Sequence, residues 1–238
     1  MAKEKKRRPV VQFTRYGIYY TPPRGALADF GAGWLGWDIE RGCAVAHPEI
    51  EGLPHDIASL TQTPRKYGLH GTIKPPFRLA EGKSATMLAQ DFDDLAQRLP
   101  PIALEGLALT RLGGFVALTV QGDQSPLADV ASAIVRGLDA FRAPPSDAEL
   151  VRRRKADLTP RQEELLAQWG YPYVMDQFRF HITLTGKLGS EDAAQVTTAL
   201  MPHFVDLLPS PFVIRDLTLV GEDDTGMFHE IHRTALSG

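Results

Sequence analysis

His70-Gly71-Thr72 and His181-Ile182-Thr183 place the same His-x-Thr tripeptide at two points 111 residues apart, each in an apolar, strand-like setting. A strand alternates its faces with period two, so within each tripeptide the imidazole and the hydroxyl point the same way. The same period extends the rows to His70, Thr72, Lys74 and to Arg179, His181, Thr183, Thr185. Brought together, the rows supply two imidazoles, several hydroxyls and cations, an inventory that suits a phosphate ester. Opening a cyclic phosphodiester requires that a water lose a proton, that the leaving alkoxide gain one, and that charge on the phosphoryl oxygens be stabilised. An imidazole with its ordinary pKa of about 6.5 serves as base or acid near neutrality. His70 and His181 are therefore the candidate catalytic pair, interchangeable at this level. Thr72 and Thr183 are candidate hydroxyl donors to the phosphate, each able to supply about 2–4 kcal/mol if they act as oxyanion-hole donors do. Lys74 and Arg179 are candidate phosphate-binding cations. Tyr16, Tyr67, Tyr173 and Thr185 are candidates to line the cleft, the tyrosines by stacking on a base or sugar. The scheme calls for no metal and no cofactor.

The elements that must position these residues repeat. After His70, a strand Leu69–Phe77 is followed by an amphipathic helix Ala85–Leu99 with Met87, Leu88, Phe92, Leu95 and Leu99 as its stripe, then a strand Ile102–Thr110. After His181, Ser190 reads as the N-cap of a helix to about Leu208, and Phe212–Val220 as the closing strand. Ile102-Ala103-Leu104-Glu105-Gly106-Leu107 aligns with Phe212-Val213-Ile214-Arg215-Asp216-Leu217 at an offset of 110, so the chain reads as an internal duplication. Upstream strands Phe13–Tyr20 and Phe115–Val120 open the halves, roughly 13–112 and 113–238. A helix opening at Ser125-Pro126 follows the second of them. Such alternation predicts an α+β fold in which helices cover one sheet face and leave the other for a cleft.

Two long connections interrupt the order. Residues 21–66, with Trp34 and Trp37 as anchors, read as one short helix plus loop. Residues 143–176 hold two capping boxes, Ser146…Glu149 and Thr159…Gln162. The run Arg152–Lys155 falls in the first of these helices, either as a solvated face or as a lid that touches substrate phosphate.

Composition narrows the classes. Of the first eight residues, Lys3, Lys5, Lys6, Arg7 and Arg8 are basic, and residues 1–12 read as a disordered basic tail before a single domain 13–238. The remainder carries 21 basic and 28 acidic residues, which argues against a broad surface for long polyanions. No apolar run approaches a membrane span, and no signal-type stretch follows the N-terminal charges. With Cys43 as its single cysteine, the chain is expected to be cytoplasmic, without a disulfide or cysteine-rich metal site. His229 and His232 lie three apart on a predicted strand, on opposite faces, which argues against a ligand pair. No Gly-rich phosphate loop precedes Lys-Ser/Thr.

The two tripeptides, one per half of a duplicated α+β chain, resemble the two-histidine (2H) phosphoesterase superfamily. Tyr67-Gly68-Leu69-His70-Gly71-Thr72-Ile73-Lys74-Pro75-Pro76-Phe77 and the stretch from Tyr171 to Gly186, with Arg15-Tyr16-Gly17-Ile18-Tyr19-Tyr20 and Trp34-Leu35-Gly36, look like its bacterial branch associated with phosphonate-metabolism genes. The resemblance implies two pseudo-symmetric lobes, each with an antiparallel or mixed sheet covered by helices, and an active-site cleft between them. It implies a small phosphorylated substrate, such as a ribose cyclic phosphate, and a phosphodiesterase that hydrolyses it. A 2′,3′-cyclic nucleotide or RNA-end phosphodiesterase or ligase is the alternative, and a non-catalytic sensor of phosphorylated ligands is a third. No membrane and no obligate protein partner are expected.

Overall fold

Apolar side chains such as Ile18, Ile73, Leu118 and Leu219 line one face of the strands, and burying them together assembles the main sheet. The computed structural model describes residues 12–238, so the expected basic tail falls, apart from Gln12, outside the described residues. In chain order the elements are β1 (Arg15–Tyr20), α1 (Ala26–Leu35), β2 (Trp37–Asp38), β3 (Cys43–Ala44), α2 (Ile57–Leu60), β4 (Gly71–Phe77), α3 (Ala85–Ala96), β5 (Ile102–Leu104), β6 (Gly106–Leu112), β7 (Phe115–Gln121), α4 (Ser125–Gly137), α5 (Asp147–Arg154), α6 (Pro160–Trp169), β8 (His181–Thr183), α7 (Ser190–Phe204), β9 (Phe212–Ile214), β10 (Asp216–Glu222) and β11 (Phe228–Ala235). The fold is α+β, with a seven-stranded antiparallel sheet in the order β11-β10-β1-β4-β8-β7-β6.

The two motif strands, β4 and β8, are neighbours at its middle, paired through Gly71 and Ile182. Those two residues are each other's counterparts at the 111-residue offset. In a separate ladder β5 pairs with β9, and Ala103 faces Val213, its counterpart at the offset of 110. The closing strand of each half joins the opening strand of the other, β6 to β7 and β10 to β1. The halves are thus interlocked through one sheet. Each closing strand is broken at matched positions, Glu105 and Arg215, where the chain leaves the β5–β9 ladder for the main sheet.

Helices α3, α4 and α7 bury one face of the sheet, with Leu88, Phe92, Leu127, Ile134, Val196, Leu200 and Phe204 in the core. Both capping boxes form. Ser190 is not the cap: Gly189 occupies that position, and the Ser190 hydroxyl instead accepts from Arg111 (2.7 Å). Residues 21–66 hold two helices rather than one, and Trp34 lies within α1 rather than in a loop. The fully buried Trp34 indole donates to the Leu184 carbonyl (2.8 Å) and so ties α1 to the residue that follows the second motif. Trp37 donates likewise to the Phe228 carbonyl (2.7 Å). On the sheet's other face, Tyr19, Trp37, Ile39, Val220 and Phe228 form a smaller cluster, and Tyr19 carries it to the lining of a cleft.

Candidate active site

In both motifs the ring is oriented by its own backbone. His70 Nδ1 lies 3.1 Å from the Gly68 carbonyl, and His181 Nδ1 lies 2.9 Å from that of Arg179, two residues upstream in each case. A carbonyl only accepts, so Nδ1 of each ring is the donor, and Nε2 of the neutral ring is left as an acceptor. His70 Nε2 then accepts from the Thr72 hydroxyl (3.2 Å). Thr72, Thr183 and His70 line one cavity of ≈ 450 Å³, within the usual range for a small-molecule site. His181 sits beside it, packed on Phe115 at 5.7 Å.

The His70 ring is half-buried between Tyr19 (centroids 4.2 Å) and Tyr67 (5.4 Å). Burial pushes its pKa down to about 4, against the hydrogen bond to Gly68, and the neighbouring His181 lowers it further. His70 is therefore neutral across physiological pH.

Close approach of the two motif strands depends on Gly71. A Cβ at that position would lie 2.3 Å from the Phe180 ring, which is buried beside His181. Gly71→Ala is expected to destabilise the fold by about 1–3 kcal/mol through overpacking, read as a lower urea midpoint at unchanged slope.

Several expected site residues lie elsewhere, and the reason is common to two of them. Opposite Ile18 of β1, strand β4 sets two residues, Ile73 and Lys74, because the pairing shifts register between Tyr19↔Thr72 and Ile18↔Lys74. In β8 the amides of Leu184 and Thr185 both reach the Val116 carbonyl (2.9 and 3.3 Å). These are bulges at matched places, and a bulge turns the following side chain to the other face. Lys74 is accordingly buried under α4, where its ammonium donates to the Val135 carbonyl (3.0 Å) and pairs with Asp139 (3.5 Å). It is not in the cleft. Thr185 is also buried, its hydroxyl accepting from the Val116 amide (3.0 Å) and donating to the Gly186 carbonyl (2.9 Å).

Burial pushes the Lys74 ammonium down to about 8, with Asp139 opposing. Lys74→Met is expected to leave turnover within about two-fold of the parent chain and to hold or raise stability at pH 7 by about 1 kcal/mol, because a buried ammonium gives way to an apolar side chain while Asp139 keeps its pair with Arg142 (2.8 Å). Lys74 binds fewer protons folded than unfolded, so the parent chain gains stability as pH rises from 8 to 10.5. The gap between the two proteins should therefore narrow over that window in denaturant titrations.

Tyr16 belongs to the core: it sits on the helix-covered face of β1 with Ile18 and Tyr20, while Arg15 and Tyr19 face the cleft. Arg179 is exposed, its guanidinium bonded to the Phe178 carbonyl (2.7 Å), and it lies outside the cavity lining. Tyr173 is exposed at the margin, edge-on to Tyr171 at 5.7 Å. Tyr67 does line the cleft. Arg15, Tyr19, Lys66 and Tyr171 line it too and were not singled out from the sequence. For Arg15 and Tyr19 the signal was there, because strict alternation along β1 puts both on the face opposite Tyr16. Arg152 and Arg153 of α5 reach the cleft wall, which favours the lid reading of that run over a wholly solvated face.

A third His-x-Thr, His232-Arg233-Thr234, lies on the edge strand β11. His232 Nε2 (2.7 Å) and the Thr234 hydroxyl are both spent on Asp93 of α3. His229 is paired with Asp223 (2.7 Å). Among the described residues no group of three or more His, Cys, Asp or Glu is placed to hold a metal, and no helix is long and apolar enough to cross a membrane.

Comparison with known proteins places these features in a lineage. The chain is 37% identical over 232 residues to the ribose 1,5-bisphosphate phosphokinase PhnN of Janthinobacterium sp. (strain Marseille), covering 94% of this chain and 51% of that protein. It is 35% identical over 213 residues to the protein of the same name from Laribacter hongkongensis (strain HLHK9), covering 89% of this chain and 49% of that one. The chain thus spans about half the length of these curated relatives. Among solved structures, E. coli LigT complexed with 3'-AMP is similar at TM-score 0.44 and 15% identity, covering 95% of this chain and 100% of that one. The crystal structure of a phosphoesterase is similar at TM-score 0.43 and 17% identity, covering 95% of this chain and 100% of that one. Residues 72–229, from the first motif threonine to the β11 histidine, match a family described as a protein of unknown function, and the chain belongs to that family, DUF1045.

Proposed function

We propose that this chain is a 2H-type phosphoesterase that hydrolyses a small cyclic phosphodiester by two-histidine acid–base catalysis. The observation that carries this reading is the matched pair: two imidazoles, each with Nδ1 fixed to the carbonyl two residues upstream, on adjacent central strands with a threonine beside each. His70, held neutral, takes the proton of the attacking water as that water bonds to phosphorus. His181 protonates the departing ring oxygen as its P–O bond breaks, giving a phosphate monoester and a free hydroxyl. With substrate in place the Thr72 hydroxyl turns from His70 Nε2 to a non-bridging oxygen, which frees Nε2 to act as base, and Thr183 donates to the other oxygen. The scheme asks nothing of a metal.

For the organic half we infer a ribose cyclic phosphate, in the phosphonate-metabolism setting that the motif stretches resemble. The curated relatives are named for a kinase of ribose 1,5-bisphosphate. Hydrolysis of a 1,2-cyclic phosphate that leaves the phosphate on O1 and carries another at O5 makes that kinase's substrate. The acidic body supports a small molecule over RNA.

Phosphorus NMR in EDTA, with ribose 1,2-cyclic phosphates and 2′,3′-cyclic nucleotides offered in parallel, tests the reading. Ring opening of the ribose compounds, with the product phosphate on O1, is the expected result. Turnover of nucleotides alone would shift the substrate to RNA ends; tight binding with no product from any compound would establish a sensor.

A further inference from the structure

We propose that the cleft holds a second anion subsite, distinct from the histidine–threonine centre, which takes a phosphate monoester carried elsewhere on the substrate. The proposal rests on reading the cleft as a cyclic-phosphodiester site and adds what the rest of the substrate must bear.

The first argument is charge. Arg15, Lys66, Arg152 and Arg153 line the cavity, and among the described residues no carboxylate does. A cyclic phosphodiester carries a single negative charge, and the two motifs already meet it. Arg15 is paired with Glu222, and the three further cations Lys66, Arg152 and Arg153 around ≈ 450 Å³ still exceed that need. A phosphate monoester brings about 1.5 to 2 negative charges and three acceptor oxygens at neutral pH.

The second is an unmet donor. The Tyr19 hydroxyl is fully buried and has no hydrogen-bond partner among the described residues, although its ring lines the cavity and stacks on His70 at 4.2 Å. Buried hydroxyls are nearly always bonded, so an unpartnered one on a cavity-lining residue calls for an acceptor brought by a ligand. Four residues away on the same face of β1, the Arg15 guanidinium is clamped through Nη2 (2.6 Å) and Nε by Glu222, which fixes the fork.

The third concerns what the aromatic faces are doing. Arg153 lies over the Tyr171 ring at 4.4 Å, and Lys66 over the Tyr67 ring at 4.8 Å. Cations occupy the faces on which a nucleobase would stack, and the stacking in turn orients the arginine fork. Both α5 arginines come from a helix pinned by its Ser146–Glu149 capping box and by Arg78 on Glu149 (3.4 Å). The cleft therefore reads as built for a second phosphate rather than for a base.

The test compares kcat/KM for ribose 1,2-cyclic phosphate with and without a 5-phosphate, in the parent chain, in the Arg152→Ala/Arg153→Ala double variant, in Arg153→Lys and in Tyr19→Phe. The parent chain should prefer the doubly phosphorylated compound by about 100-fold, the worth of one or two charged hydrogen bonds. That ratio should collapse in the double variant, chiefly through KM, fall in Tyr19→Phe, and partly recover in Arg153→Lys. Calorimetric binding of ribose 5-phosphate, which has no cyclic phosphate, separates the two readings. Binding kept in His70→Gln but lost in the double variant supports the subsite even if no cyclic phosphate is turned over. Equal kcat/KM for the two compounds in the parent chain, or ribose 5-phosphate binding indifferent to the arginines, overturns it while leaving the catalytic reading standing.

Discussion

His70→Gln and His181→Gln should each lower kcat for cyclic phosphate hydrolysis by about 10²–10⁴, the usual contribution of a positioned general acid or base. KM should change little, because phosphate charge is met mainly by the threonines and by the cations that line the cavity. Glutamine keeps a polar group near each Nδ1 partner, the Gly68 and Arg179 carbonyls, so the strands should stay paired. The double variant should be hardly slower than the worse single one, because two residues acting together in one displacement step do not lose rate additively. Single-turnover assays with the doubly phosphorylated ribose cyclic phosphate read this directly. A loss under ten-fold in either single variant would remove that histidine from the chemistry and leave the cleft as a binding site.

The tripeptides carried most of the site in the sequence, yet the tripeptide alone over-counts. His232-Arg233-Thr234 has the same spacing and alternation, but on an edge strand with Asp93 above it both polar groups are consumed within the fold. What sets the other two apart is topology: only β4 and β8 lie side by side at the centre of the sheet, and pairing order cannot be read from local pattern. Periodicity was sound as far as each threonine and failed one step later. Strict alternation puts Lys74 and Thr185 in the cleft, and matched bulges turn both away. A bulge is a property of two strands in register, so one strand's sequence does not announce it, even with Pro75-Pro76 close by. The cationic wall was partly visible, as a basic run in a capped helix of a long connection. Its approach to the cleft depended on how residues 143–176 fold back, which no periodicity encodes.

Acid should weaken the parent fold through His70 and should leave His70→Gln less affected. The ring titrates at about 4 in the folded chain and near its ordinary 6.5 once unfolded, because burial between Tyr19 and Tyr67 disfavours the imidazolium. Between those two pH values the unfolded chain binds more protons, so stability falls as pH drops through the window and the loss is complete below about 4. The full displacement corresponds to about 3 kcal/mol. Denaturant titrations of parent and variant at pH 7 and pH 4.5 isolate this contribution, since every other carboxylate and histidine is common to both. The parent should lose about 2–3 kcal/mol more than the variant over that interval. The same displacement sets the acid limb of kcat/KM, which reports the base of the free enzyme. That limb should fall well below 6.5, so that activity persists toward pH 5. A limb centred near 6.5, together with parallel stability losses in the two proteins, would mean that His70 titrates as an exposed imidazole does. The assignment of base to His70 and acid to His181 would then lose its main physical ground, which is the burial that keeps the His70 ring neutral.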